Sequence, residues 1–108
     1  MEHKTATHAL AALGHATRLS VFRLLVQAGR GGRLAGEIAT ALGLPGATLS
    51  FHLKELSAAG LVNAEPRGRS ICYRADFEAM NGLIGYLTEN CCAGEADCGP
   101  GGQCAPPR

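Results

Sequence analysis

The stretch PGATLSFHLKELSAAGLV, residues 45–62, decides how this chain is read. Leu49, Leu53 and Leu56 recur at i, i+4 and i+7, which makes one stripe along a helix. Thr48, Ser50, Phe51, His52 and Lys54 fall off that stripe and bring hydrogen-bonding groups, a cation and an aromatic ring to the outer side. Gly60 follows the last turn and suits the left-handed conformation that ends many helices. Immediately upstream, RLAGEIATALGL (residues 33–44) sets Leu34, Ile38 and Leu42 on a second, shorter stripe, and Gly43 permits a tight turn. Two short amphipathic helices joined at a glycine match a helix-turn-helix, whose second helix enters the major groove of DNA. The same spacing also suits an ordinary helical hairpin with a polar outer face.

The residues that follow favour the first reading. Val62 to Glu65 and Ser70 to Arg74 read as two strands around Pro66-Arg67-Gly68-Arg69. Ile71 and Tyr73 alternate with Cys72 and Arg74, as in a half-buried strand. A hairpin tipped by Arg67 and Arg69 directly after a recognition helix is a wing, and its arginines suit phosphates or a neighbouring minor groove. The alternative is a surface hairpin with two solvated charges. In the helix-turn-helix reading, Thr48, Ser50, Phe51 and His52 face base edges, while Lys54, Arg67 and Arg69 meet the backbone or minor groove.

The flanks supply the rest of one small domain. With 108 residues there is no room for a second core. Thr5 to Leu13 reads as a short helix with Ala6, Ala9, Leu10 and Leu13 on one side. Ala16 to Ala28 reads as a stronger one, with Leu19, Phe22, Leu25 and Val26 inside and Arg18 and Arg23 outside. Gly31-Gly32 is expected to be a flexible link. Asp76 is a good N-cap for a last helix. Phe77, Met80, Ile84, Leu87 and Cys91 then recur at spacings of 3, 4, 3 and 4, the seam of a helix packed on another helix. That seam could face its own core, but a two-fold dimer through the terminal helices gives it a purpose if operator half-sites are also two-fold related. The expected architecture is mostly α with a small β-hairpin wing, a homodimeric winged helix-turn-helix over residues 1–90, followed by a flexible Cys-rich segment over residues 91–108.

Charge and composition agree with a polyanionic partner. Net charge is only +1, but residues 1–74 hold nine Lys/Arg against four Asp/Glu, while residues 75–108 hold one Arg against five Asp/Glu. A basic body and an acidic end fit DNA held by the body alone. No apolar run is long enough to span a membrane, and the first residues lack a signal-peptide pattern, so a cytoplasmic protein is expected. Cysteines are then reduced, and four of the five lie within residues 91–104, which points to metal or redox chemistry. No nucleophile–base grouping, phosphate loop or carboxylate pair can be read. An enzyme is therefore not expected, and no organic cofactor is called for.

From Leu13 to about Leu87 the chain resembles the ArsR/SmtB family of winged-helix metalloregulators. The resemblance is carried by Leu13-Gly14-His15-Ala16-Thr17-Arg18-Leu19, by Ile38-Ala39-Thr40-Ala41-Leu42-Gly43-Leu44, by Ser50-Phe51-His52-Leu53-Lys54-Glu55-Leu56 and by Ala59-Gly60-Leu61-Val62. It implies a homodimer that represses transcription and leaves its operator when a metal or metalloid binds. Two departures stand out. His15-Ala16 replaces the usual Asp/Ser-Pro helix start, and Pro45-Gly46 replaces a Ser-Pro start. A family site with Cys-x-Cys near Leu34 and Gly36 has no cysteines here. A site of Asp-x-His type on the last helix fails because Asp76 is followed by Phe77 and Glu78 and that helix has no histidine.

The C-terminal cysteines remain. Cys91 and Cys92 are adjacent, with Cys98 and Cys104 at five-residue gaps. Thiolates select soft ions, and an adjacent pair does not match the C-x2–4-C spacing of structural zinc. Three thiolates around a pyramidal As(III) or Sb(III) centre suit it better, and the resemblance supports this because arsenical repressors of the family use cysteine triads. The ligands expected are Cys91, Cys92 and Cys98, with Cys104 as a spare. Cys72 reads as a small buried hydrophobe. Three alternatives stay open: a Zn(II)- or Cd(II)-responsive repressor, a thiol-redox-responsive one, and, in a different class, a metal-buffering or metallochaperone protein.

Overall fold

The computed structural model describes residues 1–94. Five helices and three strands follow one another as α1 (His3–Leu13), α2 (Ala16–Ala28), β1 (Arg33–Leu34), α3 (Ala35–Leu42), α4 (Gly46–Ala58), β2 (Val62–Arg67), β3 (Ser70–Ala75) and α5 (Phe77–Thr88). The strands make one antiparallel sheet in the order β1-β3-β2, with Leu34 and Glu65 both opposite Cys72. The helix-turn-helix and the hairpin wing are therefore both present.

The helical stripes close the core. Leu49, Leu53 and Leu56 of α4 are buried together with Ile38 of α3 and Val21, Phe22 and Leu25 of α2. At the turn between α3 and α4, Gly43 has φ 64° and donates to the carbonyls of Ala39 and Thr40, as the tight turn requires. Pro45 precedes α4 in extended geometry, and its carbonyl receives the Leu49 N–H at 3.0 Å, so the unusual Pro-Gly start still begins a helix. At the far end of α4, Gly60 (φ 76°) lets Leu61 donate back to the Leu56 carbonyl at 3.0 Å, a Schellman-type close. Glu37 reaches back to the Leu34 N–H at 2.8 Å and satisfies one of the free donors at the start of α3. Asp76 caps α5, its Oδ1 accepting the Ala79 N–H at 2.9 Å.

Three local expectations are corrected. Helix α1 begins at His3, and it buries Ala6, Ala9 and Ala12 while Leu10 is exposed. Three alanines allow its axis to lie close against its neighbours, and a leucine face would hold it away. On α2, Val21 is buried and Leu19 is exposed, because Leu19 sits about 200° around the helix from Val21. In β3, Cys72 is the small buried hydrophobe that was expected, and Ile71 beside it is exposed.

The last correction bears on why Cys72 faces inward. The segment around Gly31-Gly32 is no flexible link. Gly32 (φ 69°) lies against β3 so closely that a Cβ there would sit 2.4 Å from the Tyr73 carbonyl oxygen and 3.0 Å from the Cys72 sulfur. The Cys72 thiol in turn donates to the Gly31 carbonyl at 3.4 Å. Only a small side chain fits at position 72, and this fixes which face of β3 turns inward. The glycine seat also brings Arg33-Leu34 into the sheet as a third strand, so the wing is rooted on the start of the helix-turn-helix.

Candidate nucleic-acid interface

Helix α4 divides its side chains sharply. Thr48, Ser50, Phe51 and Lys54 are all exposed on the outer side, Phe51 at 55 %. This set offers two hydroxyls for base edges or phosphates, an apolar ring of the kind that meets a thymine methyl, and a cation for the backbone. The wing extends beyond it. Its strands run to Arg67 and restart at Ser70, leaving Gly68 (φ 61°) and Arg69 as a two-residue turn. Arg67 and Arg69 are both exposed. The Arg67 Nε lies 3.8 Å from a Glu65 oxygen, and Glu65 is also paired with Arg74. An exposed pair of that length contributes little and yields readily to a phosphate.

His52 does not belong to this set. Its spacing from the leucine stripe places it at base edges, but it is only 7 % exposed and points to the inner side of α4. A stripe at i, i+4 and i+7 leaves position i+3 on its flank, about 40° beyond Leu56, close enough to the buried face to be covered when a neighbour packs there. That neighbour is the start of α2. The His52 ring lies 4.8 Å, centroid to centroid, from His15. His15 in turn is the N-cap of α2, accepting the Thr17 N–H at 3.2 Å, which accounts for the unusual helix start. Arg18, expected outside, curls back to donate its Nε–H to the Ala12 carbonyl at 2.9 Å. Sequence reasoning misses the His15 contact because His15 and His52 are far apart along the chain, and no local pattern links them.

The α5 seam is open to solvent where a partner is expected to meet it. Leu83, one residue off the seam, is the buried side chain of this helix, while Ile84 is 41 % and Leu87 57 % exposed; Phe77 and Met80 are partly buried against the core. Beside this seam a cleft of about 360 Å³ is lined mainly by apolar side chains, among them Leu19, Phe22, Met80 and Ile84. The seam stops sooner than expected. Helix α5 ends at Thr88, Glu89 turns extended, and Asn90 (φ 58°) and Cys92 (φ 55°) are left-handed. Cys91 thus starts a separate short turn, Cys91–Gly94, rather than continuing the helix.

Cys91 and Cys92 are both partly exposed beside the end of α5, and two soft sulfur donors there fit a thiophilic metalloid. The other two cysteines of the expected ligand set, Cys98 and Cys104, lie outside the described residues. Among the described residues no helix is by itself long and apolar enough to cross a membrane.

Comparison with known proteins bears on this geometry. Residues 13–65 match a family model described as a helix-turn-helix domain. The HTH-type transcriptional regulator YgaV of Escherichia coli is 31 % identical over 83 residues, which cover 77 % of this chain and 82 % of that one. An ArsR-like transcriptional regulator from Rhodococcus superposes with a TM-score of 0.69 at 32 % identity, over 79 % of this chain and 77 % of that one. The homodimeric winged helix-turn-helix domain of a possible ArsR-family regulator from Mycobacterium bovis gives 0.64 at 30 % identity, over 81 % of each chain. The antimony-specific transcriptional repressor AntR gives 0.59 at 26 % identity, over 73 % of this chain and 70 % of that one.

Proposed function

Because the chain belongs to the ArsR family of winged helix-turn-helix transcriptional regulators, we propose that it is a cytoplasmic homodimeric repressor of an arsenic-resistance operon. Its operator is released when As(III) or Sb(III) binds the thiolates of Cys91, Cys92 and Cys98. The observation that carries this reading is the position of two adjacent cysteines just past the end of the helix that exposes Ile84 and Leu87. Residues 1–90 form the DNA-binding and dimerisation unit, and residues 91–108 the inducer segment. Thr48, Ser50 and Phe51 read bases. Lys54, Arg67 and Arg69 hold the backbone or minor groove. Phe77, Met80, Ile84 and Leu87 meet the two-fold partner, and the relative from Mycobacterium bovis, a homodimer, supports a dimer for this chain. AntR, a repressor specific for antimony by name, supports an inducer of this class.

The wing assignment has its own test. Replacing Arg67 and Arg69 together with Ala should weaken binding to all duplexes alike. It should also lower the slope of log affinity against log salt by about 0.9 for each phosphate that is no longer neutralised. An unchanged slope would take the wing out of the interface.

Closing one ion over Cys91, Cys92 and Cys98 draws the end of α5 toward the segment that follows it. If α5 is also the dimer contact, that strain changes the spacing of the two recognition helices. Site-to-site coupling is typically ~1–3 kcal/mol, or about 5–150-fold in operator affinity. Reduced Cys91→Ser, Cys92→Ser and Cys98→Ser proteins should each bind operator normally yet fail to leave it in arsenite, whereas Cys72→Ser and Cys104→Ser should respond. A gel shift on the upstream promoter, with As(III), Sb(III), Cd(II) and Zn(II) in parallel, checks both ligands and inducer. Release of Cys98→Ser at the wild-type arsenite concentration would make Cys104 the third ligand. A second reading rests on the four cysteines gathered within residues 91–104: a thiol-redox switch. It predicts release by oxidant without any ion, and release by Zn(II) or Cd(II) alone would point to the metal-responsive alternative.

A further inference from the structure

The buried histidine of α4, His52, is turned away from that helix's exposed face, and its surroundings are unusual. Its Nδ1 is buried and has no hydrogen-bond partner among the described residues. The side chains that act on it are His15 and Arg18 from the start of α2 and Glu55 from its own helix. Among the described residues, the other elements packed on α4 bury no charged side chain. Helix α1 buries only Ala6, Ala9 and Ala12 there, α3 buries Ile38, and β2 buries Val62.

We propose that His52 is a positioning residue, a neutral wedge between α4 and the His15 end of α2, and that acid releases operator DNA by protonating it, with no inducer present. The cause is steric and electrostatic. A neutral imidazole with its lone pair at Nδ1 fills the space. A proton added there makes a donor with no acceptor and a cation beside Arg18 and His15, so the ring must leave and α4 must move with it. Burial, with the charges of His15 and Arg18, holds the His52 pKa below the ordinary histidine value, and Glu55 only partly offsets them. A folded pKa below the unfolded one means that the stability of the neutral form is complete above about 6.5 and is lost as pH falls toward the depressed value.

The inference rests on α4 being the DNA-reading helix. It is tested with the reduced full chain and a labelled promoter duplex, without metalloid, between pH 8.0 and 5.5 at fixed ionic strength. Wild type should bind at pH 8 and then lose up to about tenfold in affinity per pH unit below the His52 pKa, the limit for one linked proton. His52→Gln, which fills the space and does not titrate in this range, should bind at pH 8 and keep its affinity on acidification. His8→Gln should behave as wild type. An acid loss of the same size in His52→Gln would overturn the proposal. In case that variant folds poorly, imidazole resonances of the wild-type protein give a second reading, and a His52 pKa at or above the ordinary histidine value would also overturn it. If wild type binds no duplex at pH 8 while His52 still titrates low, the DNA reading itself has failed, and the release proposal falls with it.

Discussion

Gly32→Ala should unfold or severely destabilise the domain, although position 32 is placed on neither the DNA nor the inducer side. Gly32 holds φ 69° and ψ −165°, a region that is essentially reserved for glycine. An added methyl would also sit 2.4 Å from the Tyr73 carbonyl oxygen and 3.0 Å from the Cys72 sulfur. Backbone strain of ~1–3 kcal/mol and overpacking of ~1–3 kcal/mol together give about 2–6 kcal/mol. That is a large part of the ~5–15 kcal/mol that holds a typical domain folded. Relief requires β1 to leave β3, which frees the base of the wing. A thermal or urea melt of Gly32→Ala beside Gly31→Ala makes the comparison, since a Cβ at Gly31 meets nothing within 4 Å. Equal midpoints for the two variants would show that the root of the wing is not a tight seat.

Leu87→Asp and Ile84→Asp should give monomers with a folded core. Both side chains are exposed in the single chain, so neither substitution opens a cavity. In a two-fold dimer each would bury a carboxylate in an apolar seam, and symmetry repeats the cost on the other subunit. The effective penalty is several kcal/mol per ion, and every 1.4 kcal/mol is tenfold in affinity. Sedimentation should show the monomer, and operator binding should fall to that of one half-site. Leu83→Asp is the contrast. Leu83 belongs to the core of its own subunit, so this change should unfold the chain rather than split it. Intact dimers of both exposed-seam variants would place the two-fold contact elsewhere.

What the sequence made legible was local. The stripe of Leu49, Leu53 and Leu56, the turn at Gly43, the close at Gly60 and the cap at Asp76 each depend on residues a few positions apart, and each is found in the structure. The errors share a different cause. Whether Gly32 is a loose link or a tight seat depends on β3 about forty residues away, and whether His52 is exposed depends on the start of α2. The two faces of a helix or strand are set by what packs on them, and periodicity alone does not name the neighbour. The outer residues of α4 and the arginines of the wing were legible because exposure is what a helix shows when its stripe is filled. The cysteine segment was legible as chemistry through its thiol density. Its geometry was not, since α5 stops at Thr88, three residues before Cys91, where the apolar spacing suggested continuity.

The proposed coupling between the thiolates at the end of α5 and the grip on DNA is tested most directly by one titration. The reduced full chain is bound to a labelled promoter duplex, arsenite is added, and operator affinity is read by anisotropy while bound arsenic is counted in the same samples. The expected result is one As(III) per thiolate triad and an operator affinity lower by about 5–150-fold, with As(III) held more weakly by the same factor when DNA is present. Stoichiometric As(III) on the protein with operator affinity unchanged would contradict the coupling.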